Sequence, residues 1–178
     1  MKKIVLSLSL LALLTACNNA SKDNTTAATD STGAMTHTAN IDEKQAHKDL
    51  TAILDSIQAS FARRDPGFVD KYMAEDGLYM GTDPGEVYSF KEFRDFSEKS
   101  FKDTSVKSYE LNVSKREIRI HGPSANLVEQ YKAPALSSKL MFRNVSHARY
   151  ENNRWIIDMY TFNAIPKNED IAKIDRAL

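Results

Sequence analysis

Between Tyr109 and Ile165 the apolar side chains recur at every second position, and part-way along they change phase. Tyr109, Leu111 and Val113 take odd positions, whereas Ile118 and Ile120 take even ones. A period of two belongs to a strand with one covered face. The slip predicts a bulge or bend over residues 114–117, because one extra residue moves an apolar set to the other side of a strand. Gly122-Pro123-Ser124 turns the chain, and strands are predicted over residues 127–133, 140–150 and 155–165. Glu151-Asn152-Asn153 joins the last two, and Pro134 ends its strand or lies on an edge. Such a meander must bend, and its single apolar face needs a cover.

The cover comes from the residues before it. Leu50, Ile53, Leu54, Ile57 and Phe61 fall at i, i+3, i+4, i+7 and i+11, which predicts an amphipathic helix over residues 41–64. Asn40, followed three positions later by Glu43, suits its start. Asp65-Pro66 opens a second, short helix carrying Phe68, Val69, Tyr72 and Met73, and Asp76-Gly77 ends it. Residues 78–81 and 86–88 read as short strands around a Thr-Asp-Pro-Gly turn. Ser89-Phe90-Lys91-Glu92 is a capping box that opens a third helix with Phe93, Phe96 and Phe101. A short terminal helix is expected over residues 169–177. The order predicts an α+β domain with a strongly bent antiparallel sheet and N-terminal helices packed on its concave face.

The chain begins MKKIVLSLSLLALLTAC. Lys2 and Lys3 precede an apolar run, Ile4–Leu14, too short to span a bilayer and suited to a secretory signal. Leu14-Thr15-Ala16-Cys17 resembles the bacterial lipoprotein signal, in which the cysteine is acylated and the chain is cut before it. Cys17 is the only cysteine, so it has no disulfide partner within the chain. Residues 1–16 are therefore read as the signal peptide. Residues 17–39 are read as the acylated cysteine and a Thr-, Asn- and Ala-rich disordered tether, its ends on the order of 25 Å apart. Residues 40–178 form the domain. Asn18 after the cysteine leans toward the outer membrane, with the domain facing the periplasm or the cell surface.

Losing Lys2 and Lys3 leaves 22 Lys and Arg against 24 Asp and Glu, a formal charge near −2. With no basic block, nucleic acid is not expected as a partner. No His, Asp and Glu spacing resembles a metal site, no glycine-rich phosphate loop is present, and no cofactor is expected. His37 falls in the tether, His47 on a polar helix face and His121 before a turn. His147 lies mid-strand with Arg143 and Arg149 on its side, a poor setting for a cation.

Arg64-Asp65-Pro66, Tyr72, Asp76-Gly77, Gly81-Thr82-Asp83-Pro84-Gly85-Glu86 and the closing Trp155–Phe162 strand with a late Pro166 together resemble the SnoaL-like branch of the nuclear-transport-factor-2-like superfamily. The resemblance covers nearly all of residues 41–166. It implies a cone-shaped α+β fold with a pocket between sheet and helices, often as a homodimer packed sheet to sheet. In the ketosteroid isomerase branch an Asp directly before Pro is the general base, supported by an oxyanion-hole Tyr. Asp83-Pro84 matches the dipeptide, but the first helix has Phe61 and no Tyr on its apolar face. The His that many relatives carry on the closing strand falls at Thr161, counting alternate residues from Trp155.

Two readings of Asp83 follow: a proton-transfer base, or a turn residue capping amides beside Pro84 and Gly85. Asp158 stands among apolar neighbours and needs a partner, Arg143 or Arg149 being placed to pair with it, or else a ligand role. Tyr79, Tyr131, Met141, Arg143, Met159 and Thr161 are the ligand-lining candidates, and Tyr160 with Phe162 could instead form a dimer surface. The expected function is binding of a small apolar or amphipathic molecule or a partner protein without catalysis. The alternatives are an isomerase or dehydratase with Asp83 or Asp158 as base, and a structural dimerising module of the cell envelope.

Overall fold

The computed structural model describes residues 41–177; the signal peptide, Cys17 and the tether lie outside the described residues. Helix α1 spans Glu43–Arg63. Its cap is Asp42, two residues beyond the expected Asn40, with a carboxylate oxygen 3.0 Å from the Gln45 amide it accepts from. A charged cap gains from the helix dipole as well as from the hydrogen bond. Arg64 ends the helix in the left-handed region at φ 57°. Helix α2 (Phe68–Tyr72) follows, then β1 (Met73–Met80), β2 (Val87–Tyr88) and α3 (Phe90–Lys102), which opens on the predicted capping box of Ser89 and Glu92. The meander consists of β3 (Asn112–His121), β4 (Ser124–Lys132), β5 (Met141–Glu151) and β6 (Arg154–Ile165). A 3-10 turn (Asn168–Asp170) and a short α4 (Ile171–Asp175) close the described chain.

The six strands form one sheet in the order β2-β1-β6-β5-β4-β3, with β1 parallel to β6 and every other pair antiparallel. The predicted bulge is present, the register shifting between Val113 and Lys115. A second lies in β6, where Ile157 pairs with Ala148 and Met159 with His147, leaving Asp158 as the extra residue. The covered face of β6 therefore passes from odd to even numbers: Trp155 and Ile157 are buried before the bulge and Tyr160 after it. Phe162 continues that face, stacked on Phe142 at 5.1 Å and on Tyr131 at 5.5 Å.

Leu50, Leu54 and Ile57 of α1 join Phe68, Val69, Leu127, Ala148 and Ile157 in the main core. A smaller cluster of Tyr131, Ala133 and Phe142 sits further along the sheet. One ion pair is sunk between helix and sheet. The Glu129 carboxylate, buried on β4, accepts from Arg116 Nε at 2.7 Å and from Gln58 of α1 at 2.7 Å, and Arg116 also reaches Asp55 at 2.8 Å.

Asp76-Gly77 does not end the second helix. That helix stops at Tyr72, and the pair sits inside β1 at a register shift between Met73 and Leu78. The reason is tertiary. A Cβ on Gly77 would run into the Tyr79 hydroxyl and come within 2.9 Å of the Asp158 carbonyl. The Tyr79 hydroxyl is itself fixed, donating to the Ala74 carbonyl at 2.5 Å. Gly77→Ala is expected to cost about 1–3 kcal/mol, since backbone and a buried ring must shift. Thermal unfolding measures it; a loss under half a kcal/mol would show that the bulge relaxes freely.

Candidate functional site

Helix α3 decides where the domain is hollow. The capping box fixes its first turn, which turns Phe93, Ser97, Ser100 and Phe101 toward the sheet. Two of those four positions are serines, too small to fill the space that leucine or phenylalanine would occupy. Gly81, Ala133 and Ala135 are equally small around the opposite walls. What remains is a cavity of about 340 Å³, at the lower end of the size range for ligand pockets.

The cavity walls are aromatic. Phe61 of α1 lines it, and Tyr109 stands beside Phe101 at 5.1 Å with its hydroxyl donating to the Ser100 carbonyl at 2.6 Å. Tyr88 stacks on Phe96 at 5.1 Å, while Phe93 lies 6.2 Å from Tyr160. Burial pushes the Tyr160 phenol pKa up, so this hydroxyl stays protonated. Tyr160 and Phe162 are thus interior walls, and the dimer-surface reading of these two rings is corrected.

Asp83 stands in the turn that joins β1 to β2. Its carboxylate accepts from the Gly85 amide at 2.8 Å, and its carbonyl accepts from the Glu86 amide at 2.9 Å. Asp83 turns the chain. Its own amide donates to Glu86 Oε2 at 3.0 Å, so the turn holds the Glu86 side chain in place. Glu86 lines the cavity and Asp83 does not. Gly81 makes this fit, because a Cβ there would lie 2.7 Å from the Glu86 carboxyl carbon. Burial first, and then the Glu86 carboxylate beside it, push the Tyr88 phenol upward. The sequence reading missed Glu86, whose only local signal is the glycine five residues earlier.

Of the ligand-lining candidates, none falls on this cavity. Tyr79 is fully buried behind it, stacked on Phe93 at 4.8 Å. Tyr131 is buried under Phe162 with a hydroxyl that has no partner among the described residues. Met141 and Arg143 lie on the outer face of the sheet by the alternation of β5, and Met159 and Thr161 lie there because the β6 bulge turns them outward. Thr161 is spent on the ladder, donating to the Val145 carbonyl at 3.0 Å.

Asp158 occupies that outer face as well. Its oxygens meet His147 Nδ1 at 2.6 Å and Arg149 at 3.3 Å, and His147 Nε2 meets Ser124 Oγ at 2.8 Å. Arg149, held also by Asp76 at 2.6 Å and Glu151 at 2.9 Å, keeps its guanidinium charged. The Ser-His-Asp order is that of nucleophile, base and orienter. Neither the aromatic cavity nor a shallower one beside Tyr72 and Trp155 is lined by any of the three. Here the chain of hydrogen bonds links β4, β5 and β6.

The sequence matches the SnoaL-like domain family over residues 50–162, most of the chain. The chain belongs to the SnoaL-like family. Its first residues, 1–18, match the prokaryotic membrane lipoprotein lipid attachment site. An NTF2-like protein of unknown function from Pseudomonas putida superposes with a TM-score of 0.60 at 11% identity, covering 71% of this chain and 91% of that one. An NTF-2 like protein of unknown function from Shewanella oneidensis gives 0.56 at 17% identity, covering 66% and 98%. Another from Silicibacter pomeroyi gives 0.55 at 14% identity, covering 70% and 100%. At these identities the likeness establishes the fold. No curated protein shows significant similarity to the chain.

This SnoaL-like domain carries no cluster of three or more His, Cys, Asp or Glu side chains suited to a metal ion among the described residues. No helix among those residues is long and apolar enough to cross a membrane. The lipid attachment site makes it a lipid-anchored protein of the cell envelope. Chemically, the cavity offers aromatic surface, hydroxyls and carboxylates, an arrangement suited to holding a compact apolar body with a polar end.

Proposed function

We propose that this SnoaL-like lipoprotein binds a small apolar or amphipathic molecule in its aromatic cavity and does not transform it. The observation that carries the reading is the hollow itself, a cavity of about 340 Å³ walled by rings and kept open by serine, glycine and alanine. A proton-transfer enzyme needs a base and an electrophile facing one substrate. Asp83 is committed to its turn, and Asp158 lies across the sheet with both oxygens engaged. Those placements favour binding over the isomerase or dehydratase reading. The hollow favours it over a purely structural module.

The domain is proposed to stand off the outer membrane on its acylated Cys17, facing the periplasm or the cell surface. The outer face of the sheet, with Val128, Val145 and Met159 half-buried, is the surface on which a second copy would pack as a homodimer.

The test is native mass spectrometry of the mature lipoprotein, purified gently from its host and released from detergent in the gas phase. A reproducible added mass beyond the acyl groups, lost on denaturation, is expected. Ser97→Trp, which fills the cavity, should abolish it. An unadorned mass in the native protein, with no small apolar probe bound in solution, would overturn the reading.

A further inference from the structure

Resting on the proposed ligand cavity, we propose that the molecule it takes is an amine, bound as its ammonium against Glu86 and the rings around it. The charges of the lining are one-sided. Glu86, Asp103 and Glu110 line the cavity, and no lysine, arginine or histidine does so among the described residues. The three carboxylates are not equivalent. Asp103 accepts from the Ser105 amide at 2.8 Å and lies beside Arg64, whose guanidinium bonds the carbonyls of Phe101, Asp103 and Val106. Glu110 is exposed at the rim. Glu86 has no cationic partner among the described residues, yet its carboxylate is fixed by the Asp83 amide and folded over Gly81.

A carboxylate held rigidly beside apolar surface, with no cation of its own, attracts a cation from outside. The rings of Tyr88 and Phe96, stacked at 5.1 Å, stand on the same wall and add the attraction of an aromatic face for an ammonium group. A carboxylate ligand meets the opposite: like charge and no counter-ion in the lining. The cavity's size fits a one- or two-ring amine, or a short alkyl one, and excludes a diacyl lipid. The turn explains the placement. Asp83, Pro84 and Gly85 form the bend, and the residue delivered at its end is the counter-ion.

Three probes share one ring system: 2-naphthylmethylamine, 2-naphthylmethanol and 2-naphthoate. Equilibrium dialysis would use the mature protein in lipid nanodiscs, corrected with empty nanodiscs. The amine is expected to bind about tenfold more tightly than the alcohol, and the naphthoate more weakly than either. Glu86→Gln keeps the acceptor for the Asp83 amide, so it should bring the amine down to about the affinity of the alcohol. Gly81→Ala, which displaces the same carboxylate without altering its charge, should do likewise. Alcohol and amine binding equally in the native protein, or an amine preference untouched in both variants, overturns the inference while leaving the apolar-ligand reading standing. Binding of none of the three probes overturns both.

Discussion

Arg116→Ala is expected to lower the stability of the domain by about 3–5 kcal/mol at pH 7, the largest loss from any single side chain outside the apolar core. The guanidinium lies 2.7 Å from a Glu129 carboxylate only 6% exposed, so its removal leaves that charge facing Gln58 alone. Burial already pushes the Glu129 pKa up, against the downward pull of Arg116 and Gln58. The sign of the pH effect follows. A carboxyl whose folded pKa is raised contributes stability that is complete below its unfolded value, about 4.3, and lost as pH rises through the folded one. Without Arg116 the folded value rises further, so the penalty of the variant should shrink as pH falls from 7 toward 4. Glu129→Gln in the same background should recover much of the loss at pH 7. Chemical denaturation at both pH values measures this, and an equal loss at each would mean that packing of the arginine stem matters and its charge does not.

Cys17→Ser is expected to abolish acylation entirely. The lipid attachment site requires the sulfur, and stable anchoring requires more than one acyl chain, each buried methylene contributing about 0.8 kcal/mol. Growth with labelled palmitate should mark the native protein and leave the variant unlabelled. The variant should also keep its signal peptide and migrate as the larger precursor. The native protein should stay with membranes through a high-salt wash and leave them in detergent. Undiminished label in the variant would move the attachment elsewhere in the chain.

Residues whose neighbours are close in sequence were legible in advance. The apolar face of α1, the Ser89–Glu92 capping box and the bulge at Ser114 each follow from spacing within a dozen residues, and each is present. Where spacing misled, a distant contact had intervened. In β6 the run Ile156, Ile157, Met159 is apolar on both sides of Asp158, so nothing local marks the extra residue. Counting straight through it sent Met159 and Thr161 to the pocket and Tyr160 and Phe162 to the surface. Asp76-Gly77 carries the composition of a helix stop, but the approach of Tyr79 and Asp158 dictates the glycine. Glu86 was invisible for the same reason: its position is a product of the hairpin, and alternation alone gives a two-residue strand no face.

The pairing of Tyr79 with Tyr160 and of Met80 with Thr161 has a consequence for the life of the chain before it reaches the envelope. Strand β1 is made before β6, the parallel neighbour that completes its ladder, with α3 and four other strands between the two. The hydrogen bonds of α1 join residues close in sequence, whereas the sheet cannot close until β6 has arrived, and contacts so far apart in sequence form slowly. A polypeptide threaded through an export channel must stay unfolded while it passes. Here the order of the strands leaves β1 without its parallel neighbour until β3, β4 and β5 have been made.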